Sequence, residues 1–179
     1  MDKTPQKAVF LDRDGTLIEE VDFLSRLEDL RVFPYTKRAL ELLKSNGFLL
    51  FVITNQSGIG RGIYEVNAMH AIHRQIQTEL DGMIDAFYFC PHLPDAGCEC
   101  RKPKLKMINE ARDTFPIALE GSWVIGDKLL DVETARAAGM NAAMVRTGYG
   151  KAHELLLEFE PELIEDDLLS AAIAITRRY

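Results

Sequence analysis

The chain predicts an α/β fold, with a mainly parallel sheet of about five strands held between two layers of helices. Three observations in its 179 residues carry that prediction. Short, bounded apolar runs alternate with longer stretches whose apolar residues recur at helical spacing. The runs lack polar alternation, as expected of parallel strands covered on both faces. Polar residues able to bind or react follow directly after the runs, at strand carboxyl ends, where open α/β sheets hold their ligands.

Ala8-Val9-Phe10-Leu11 is the first run, ending in a turn at Asp12-Arg13-Asp14-Gly15-Thr16. A helical pattern starts at Pro34, continues through Ala39, Leu40, Leu42 and Leu43, and stops at Gly47. Phe48 to Ile53 is the second strand, and Tyr64 to about Leu80 a helix with Met69, Ile72 and Ile76 at helical spacing. Ile84 to Phe89 gives the third strand and Leu105 to Phe115 the next helix. Ser122 to Ile125 is the fourth strand, Leu129 to Ala138 a helix closed by Gly139, and Ala142 to Val145 the fifth strand. The segment from Asp166 to Arg178 reads as a final amphipathic helix, with Asp166 or Asp167 near its N-cap. Trp123 is expected in the core. The acidic run from Glu158 to Asp167 is expected to be a solvated surface.

Hydrophobic content of 47% and charged content of 27% suit one globular domain over residues 1–179. A net charge of −7 argues against nonspecific nucleic-acid binding, which relies on a basic face. No apolar stretch approaches the ~20 residues of a membrane span. The polar segment Met1–Lys7 lacks the apolar centre of a secretory signal. These features predict a cytoplasmic protein without membrane or nucleic-acid partners. It is expected to be a monomer, since no separate dimerisation segment is visible.

Asp12 and Asp14 set two carboxylates two positions apart at a strand end. One can act as a nucleophile while the other moves protons, provided a cation offsets the crowded charge. An acidic turn would have the same local sequence. Thr54-Asn55-Gln56-Ser57-Gly58, after the second strand, offers hydroxyl, amide and backbone donors for a phosphoryl group, or simply a polar turn. Arg101-Lys102-Pro103-Lys104 and Gly126-Asp127-Lys128 follow the third and fourth strands. Asp131 could serve only as a local cap. Each element is weak alone, but together they form a specific set.

Cys90, His92, Cys98 and Cys100 fall within eleven residues and include every cysteine of the chain. Three thiols and an imidazole suit a closed, structural tetrahedral Zn²⁺ site in a zinc-binding loop at 90–100. An odd cysteine count and a reducing compartment weigh against disulfides. His70 and His73, by contrast, read as ordinary helix residues. Arg61 could reach the site or lie on the surface.

The set resembles the haloacid dehalogenase-like phosphatases along essentially the whole chain: Asp12–Thr16, Thr54, Lys102 and Gly126-Asp127 match the family's four motifs in order. The resemblance implies a Rossmann-like fold, and the short intervals after Thr16 and after the second strand leave no room for a large cap domain. The resemblance also implies Asp12 as nucleophile, Asp14 as proton donor and acceptor, and Thr54 and Lys102 as phosphoryl stabilisers. Mg²⁺ would be held by Asp12, Asp127 and the backbone carbonyl of Asp14. The zinc loop followed by Arg-Lys-Pro is similar to the branch acting on heptose 1,7-bisphosphate and histidinol phosphate. That likeness implies a small phosphorylated metabolite as partner, with a sugar bisphosphate losing its 7-phosphate favoured over histidinol phosphate. Asn55, Gln56, Ser57, Arg101 and Lys128 would then contact substrate. A catalytically silent, zinc-stabilised binding protein is the alternative from another class, and the intact acids and Lys102 argue against it.

Overall fold

In the computed structural model, which describes residues 4–179, the apolar runs form one sheet. Its strands are β1 (Gln6–Leu11), β2 (Leu49–Asn55), β3 (Ala86–Cys90), β4 (Ile117–Gly126), β5 (Asn141–Val145) and β6 (Leu163–Glu165). All neighbours are parallel and the order is β3-β2-β1-β4-β5-β6. Parallel neighbours need crossover connections. These contain α1 (Thr36–Ser45), α2 (Ser57–Gly60), α3 (Val66–Glu79), α4 (Lys106–Thr114), α5 (Leu129–Ala138) and α6 (Gly150–Glu154), with α7 (Leu168–Thr176) after the last strand.

Alternation along β1 divides the core. Val9 and Leu11 face a layer made by α1, α3 and α7, where Leu40, Leu43, Ile72, Ile76 and Ala171 are buried. Ala8 and Phe10 face α4 and α5, against Ile108, Ala111, Val132 and Ala135. Phe10 stacks on Phe51 with ring centroids 5.2 Å apart. Each fully buried large apolar side chain in these layers contributes about 1.5–3 kcal/mol. Gly139 ends α5 at φ +68°, a left-handed cap that glycine adopts without steric cost.

The expected class holds, with corrections of detail. The sheet has six strands rather than five: Leu163–Glu165, inside the acidic run assigned to a solvated surface, pairs with β5 and forms the edge. β4 begins at Ile117, five residues before the apolar run expected from Ser122, and its register against β1 shifts between Lys7 and Val9. Pro34 lies in a turn ahead of α1, and Tyr64 precedes α3. Asp167 is the α7 cap, its side chain accepting the Ser170 N–H at 2.8 Å. Trp123 is buried as expected. Among the described residues, no helix is long and apolar enough to cross a membrane.

In this strand order the chain reverses direction between β1 and β4, which opens a crevice at their carboxyl ends. The Asp12 N–H donates to the Ile125 carbonyl at 2.9 Å, so the first acid begins where the sheet stops.

Candidate active site

Four groups from three strand ends meet below this crevice. Lys102 donates from Nζ to Asp12 Oδ1 at 2.9 Å, Asp131 Oδ1 at 2.6 Å and the Ile53 carbonyl at 3.0 Å. All three side chains are buried, and Asp127, wholly inaccessible, lies beside them. Carboxylate oxygens of Asp12, Asp127 and Asp131 lie within 4.8 Å of one another. Burial acts to raise the Asp12 carboxyl, but attraction from Lys102 and Lys128 outweighs it and holds the group at about 2. Asp127 differs: burial, reinforced by the charge of Asp12, pushes it up to about 8.

Asp127 is packed from two sides by backbone. Gly15, at φ +83°, lies so close that a Cβ there would meet the carboxylate oxygen at 2.3 Å; a Cβ on Gly148 would meet it at 2.2 Å. The Tyr149 N–H donates to Asp127 Oδ2 at 2.8 Å. Only glycine serves at position 15, for conformation and for space.

Lys128 points its ammonium into the middle of these oxygens. Nζ lies 3.6 Å from Asp12 Oδ2, 3.1 Å from Asp127 Oδ1 and 3.5 Å from the Asp14 main-chain carbonyl, with Glu20 Oε2 at 3.1 Å. Burial opposes the charge on Lys128, yet Asp12, Asp127 and Glu20 together keep it protonated. An all-oxygen set that already gathers around one cation suits a hard divalent ion. The residues therefore fit Mg²⁺, with Asp12, Asp127 and the Asp14 carbonyl as donors.

The Asp14 side chain turns elsewhere. Arg13 grips it with Nε to Oδ2 at 3.0 Å and Nη2 to Oδ1 at 2.9 Å, and Gln56 Nε2 donates to Oδ2 at 2.9 Å. Gln56 also donates to Thr54 Oγ1 at 2.7 Å and accepts from Arg13 Nη2 and the Tyr64 hydroxyl. The other Arg13 terminus, Nη1, is 3.3 Å from Nε2 of buried His73. Burial, aided by the charge of Arg13, depresses His73 to about 3, so it meets the arginine as a neutral acceptor.

Around these groups is a cavity of about 280 Å³. Asp12, Asp14, Thr54, Asn55, Gln56, Ser57, Arg101, Lys102 and Lys128 all line it, with Asp127 beneath. The loop after β1 forms the opposite wall, tied across the mouth by Lys128 to Glu20 and by the Tyr149 hydroxyl to Asp22 at 3.2 Å. Arg61 is not in the wall; its guanidinium lies over the Phe23 ring at 5.8 Å.

Cys90, His92, Cys98 and Cys100 also come together. Cys90 Sγ is 3.5 Å from Cys98 Sγ and 2.8 Å from Cys100 Sγ, and His92 Nδ1 is 3.1 Å from Cys100 Sγ. The cysteines are free thiols, and three sulfurs with one imidazole nitrogen fit a soft tetrahedral ion such as Zn²⁺. The loop leads straight into Lys102, whose N–H donates to Asn55 Oδ1 at 3.0 Å.

Two sequence expectations shift in emphasis. Asn55 and Gln56 line the cavity, but their amides are engaged by protein partners, so each orders a neighbouring site residue. Asp131, read as a cap, does accept the Lys128 N–H at 3.1 Å, yet its other oxygen belongs to Lys102. Arg13 and Tyr64 were given no site role from sequence, and His73, read as an ordinary helix residue, is instead buried against Arg13, since these partners are distant along the chain. A charged residue between two motif acids was the one available hint for Arg13.

A family model described as polynucleotide kinase 3 phosphatase matches residues 7–129, and one described as HAD-hydrolase-like matches residues 99–171. The chain belongs to the haloacid dehalogenase-like phosphatases. Its similarity is to particular members: a D-glycero-β-D-manno-heptose-1,7-bisphosphate 7-phosphatase of Pseudomonas putida is 41% identical over 94% of this chain and 97% of its own. The Pseudomonas aeruginosa enzyme of that name is 37% identical over 93% and 96%. A D,D-heptose 1,7-bisphosphate phosphatase from B. bronchiseptica, solved with magnesium and phosphate, superposes with a TM-score of 0.89 at 30% identity, covering 97% of this chain and 99% of that one.

Proposed function

We propose that this phosphatase removes the 7-phosphate of D-glycero-D-manno-heptose 1,7-bisphosphate through a phosphoryl-aspartate at Asp12. The observation that supports this most is the pairing of ionised Asp12 with Lys102 at the end of β1, facing a cavity sized for a small metabolite. An Asp12 oxygen attacks phosphorus in line, the bond from phosphorus to the sugar oxygen breaks, and Asp14 delivers a proton to that leaving oxygen. Asp14 then accepts a proton from water as the water oxygen attacks phosphorus, which frees Asp12 and releases inorganic phosphate.

Thr54 Oγ1 accepts from Gln56, leaving its own hydrogen for a phosphoryl oxygen. Lys102 supplies fixed positive charge as the phosphoryl charge redistributes. Bound at Asp12, Asp127 and the Asp14 carbonyl, Mg²⁺ would screen the phosphoryl group from the acids. Arg101, half-buried on the rim with one long contact to the His92 carbonyl, is available to the second phosphate, and Lys128 would join it only when its ammonium leaves the oxygens that would hold Mg²⁺. Ser57 opens α2 beside them. A structural Zn²⁺ at Cys90, His92, Cys98 and Cys100 would fix the loop that delivers Arg101 and Lys102.

Turnover of heptose 1,7-bisphosphate should exceed that of histidinol phosphate under the same Mg²⁺, with heptose 1-phosphate as product. Faster histidinol phosphate hydrolysis would reverse the substrate assignment.

A further inference from the structure

We infer that Arg13 is a positioning residue that sets the orientation of the Asp14 carboxyl toward the leaving oxygen; this rests on the role proposed above for Asp14. A guanidinium that is 1% exposed is costly to bury unless its donors are engaged. Here they are engaged in a particular pattern. Nε and Nη2 form a fork on both Asp14 oxygens, Nη2 reaches Gln56, and Nη1 meets His73, which stacks on Phe87 of β3 at 4.6 Å. Gln56, itself held by Tyr64, joins Asp14 Oδ2 to Thr54.

The two Asp14 oxygens are consequently unlike. Oδ2 accepts from Arg13 Nε and Gln56, filling its lone-pair directions, while Oδ1 accepts only from Arg13 Nη2. Oδ1 keeps acceptor capacity and is assigned to the proton transfer. Free rotation of Asp14 would let it swing toward the Lys128 ammonium, which already contacts the Asp14 main-chain carbonyl at 3.5 Å. The planar fork prevents this, and a lysine at position 13 cannot reproduce it.

A group that positions a proton donor matters in proportion to the basicity of the leaving oxygen. Alkyl phosphates need that proton, whereas 4-nitrophenyl phosphate releases a stabilised anion. Arg13→Lys and Arg13→Met should therefore lower kcat/KM, which covers phosphoryl transfer to Asp12 but not the later hydrolysis common to both esters, by about 100-fold on an alkyl phosphate, the low end of general acid–base contributions, with a loss on the aryl ester at least about tenfold smaller. His73→Leu should give the same selectivity at smaller size, and His73→Gln, which keeps an acceptor for Nη1, should restore the wild-type ratio. Asp14→Asn is the reference for full loss of the proton donor. If it discriminates between the esters while folded Arg13 variants lose both equally, the Arg13 inference alone is overturned. If Asp14→Asn does not discriminate, the reading of Asp14 falls and the inference with it. If the Arg13 variants do not fold, the His73 pair decides: a selective loss in His73→Leu supports the inference, and an unchanged ratio overturns it.

Discussion

Lys102 Nζ lies 2.9 Å from Asp12 Oδ1, although 90 residues separate the two in the chain. The same ammonium holds Asp131 at 2.6 Å, so one cation offsets two buried carboxylates beside a third. Breaking a buried pair by removing one partner leaves an uncompensated charge, which costs about 3–5 kcal/mol.

Lys102→Met should therefore be the most destabilising single change in the site, lowering Tm by about 10 °C for a chain of this size. Asp12→Asn should cost less, because Asp131 still pairs with Lys102. Added Mg²⁺ should recover part of the Lys102→Met loss by supplying positive charge among the acids. Thermal melts of both variants, with and without Mg²⁺, test this; equal Tm values would contradict it.

The Cys/His loop at 90–100 and the site meet at Lys102, whose backbone is pinned by Asn55. Metal analysis of protein purified without added metal should find about one Zn²⁺ per chain, as the four-ligand set requires. Cys98→Ala should lower that content and reduce kcat/KM by about tenfold or more through the displaced lysine, since ligand binding and local folding are linked. A metal-free protein of full activity would contradict the assignment.

His73 gives the protein an acid-labile point away from the carboxylate cluster. Its folded pKa of about 3 lies below the ordinary histidine value of 6.5, so the unfolded chain takes up a proton first as pH falls. Stability attributable to this residue is complete above about pH 6.5 and declines by about 1.4 kcal/mol per pH unit below it, down to the folded pKa. His73→Gln should flatten that segment of the stability curve between pH 6 and about 4 in denaturant titrations. Parallel curves for the two proteins would contradict the prediction.

Much of the fold was legible because β1, β2 and β5 are buried on both faces and so read as unbroken apolar runs. β6 was not: three half-buried residues in an acidic stretch carry no periodicity, and their pairing with β5 is set by tertiary contact. The first half of β4 was hidden by Glu120 and Gly121, and α2 and α6 are too short to repeat a helical pattern. At the site, residues at strand ends were readable from position alone. Arg13 was marked only by its place beside Asp14, because its other partners Gln56 and His73 lie 43 and 60 residues away. Asp131 was readable only as a cap, since its second bond depends on a lysine 29 residues upstream.

Asp12 is the residue proposed to carry the phosphoryl group during turnover. Enzyme quenched during turnover and reduced with borohydride should yield homoserine at position 12, because an acyl phosphate is reduced where a free carboxylate is not. Peptide mass spectrometry finding homoserine at Asp12, and none in Asp12→Asn, is the expected result. An unmodified Asp12 in an enzyme quenched while turning over, with the phosphoryl group on another side chain, would contradict the account.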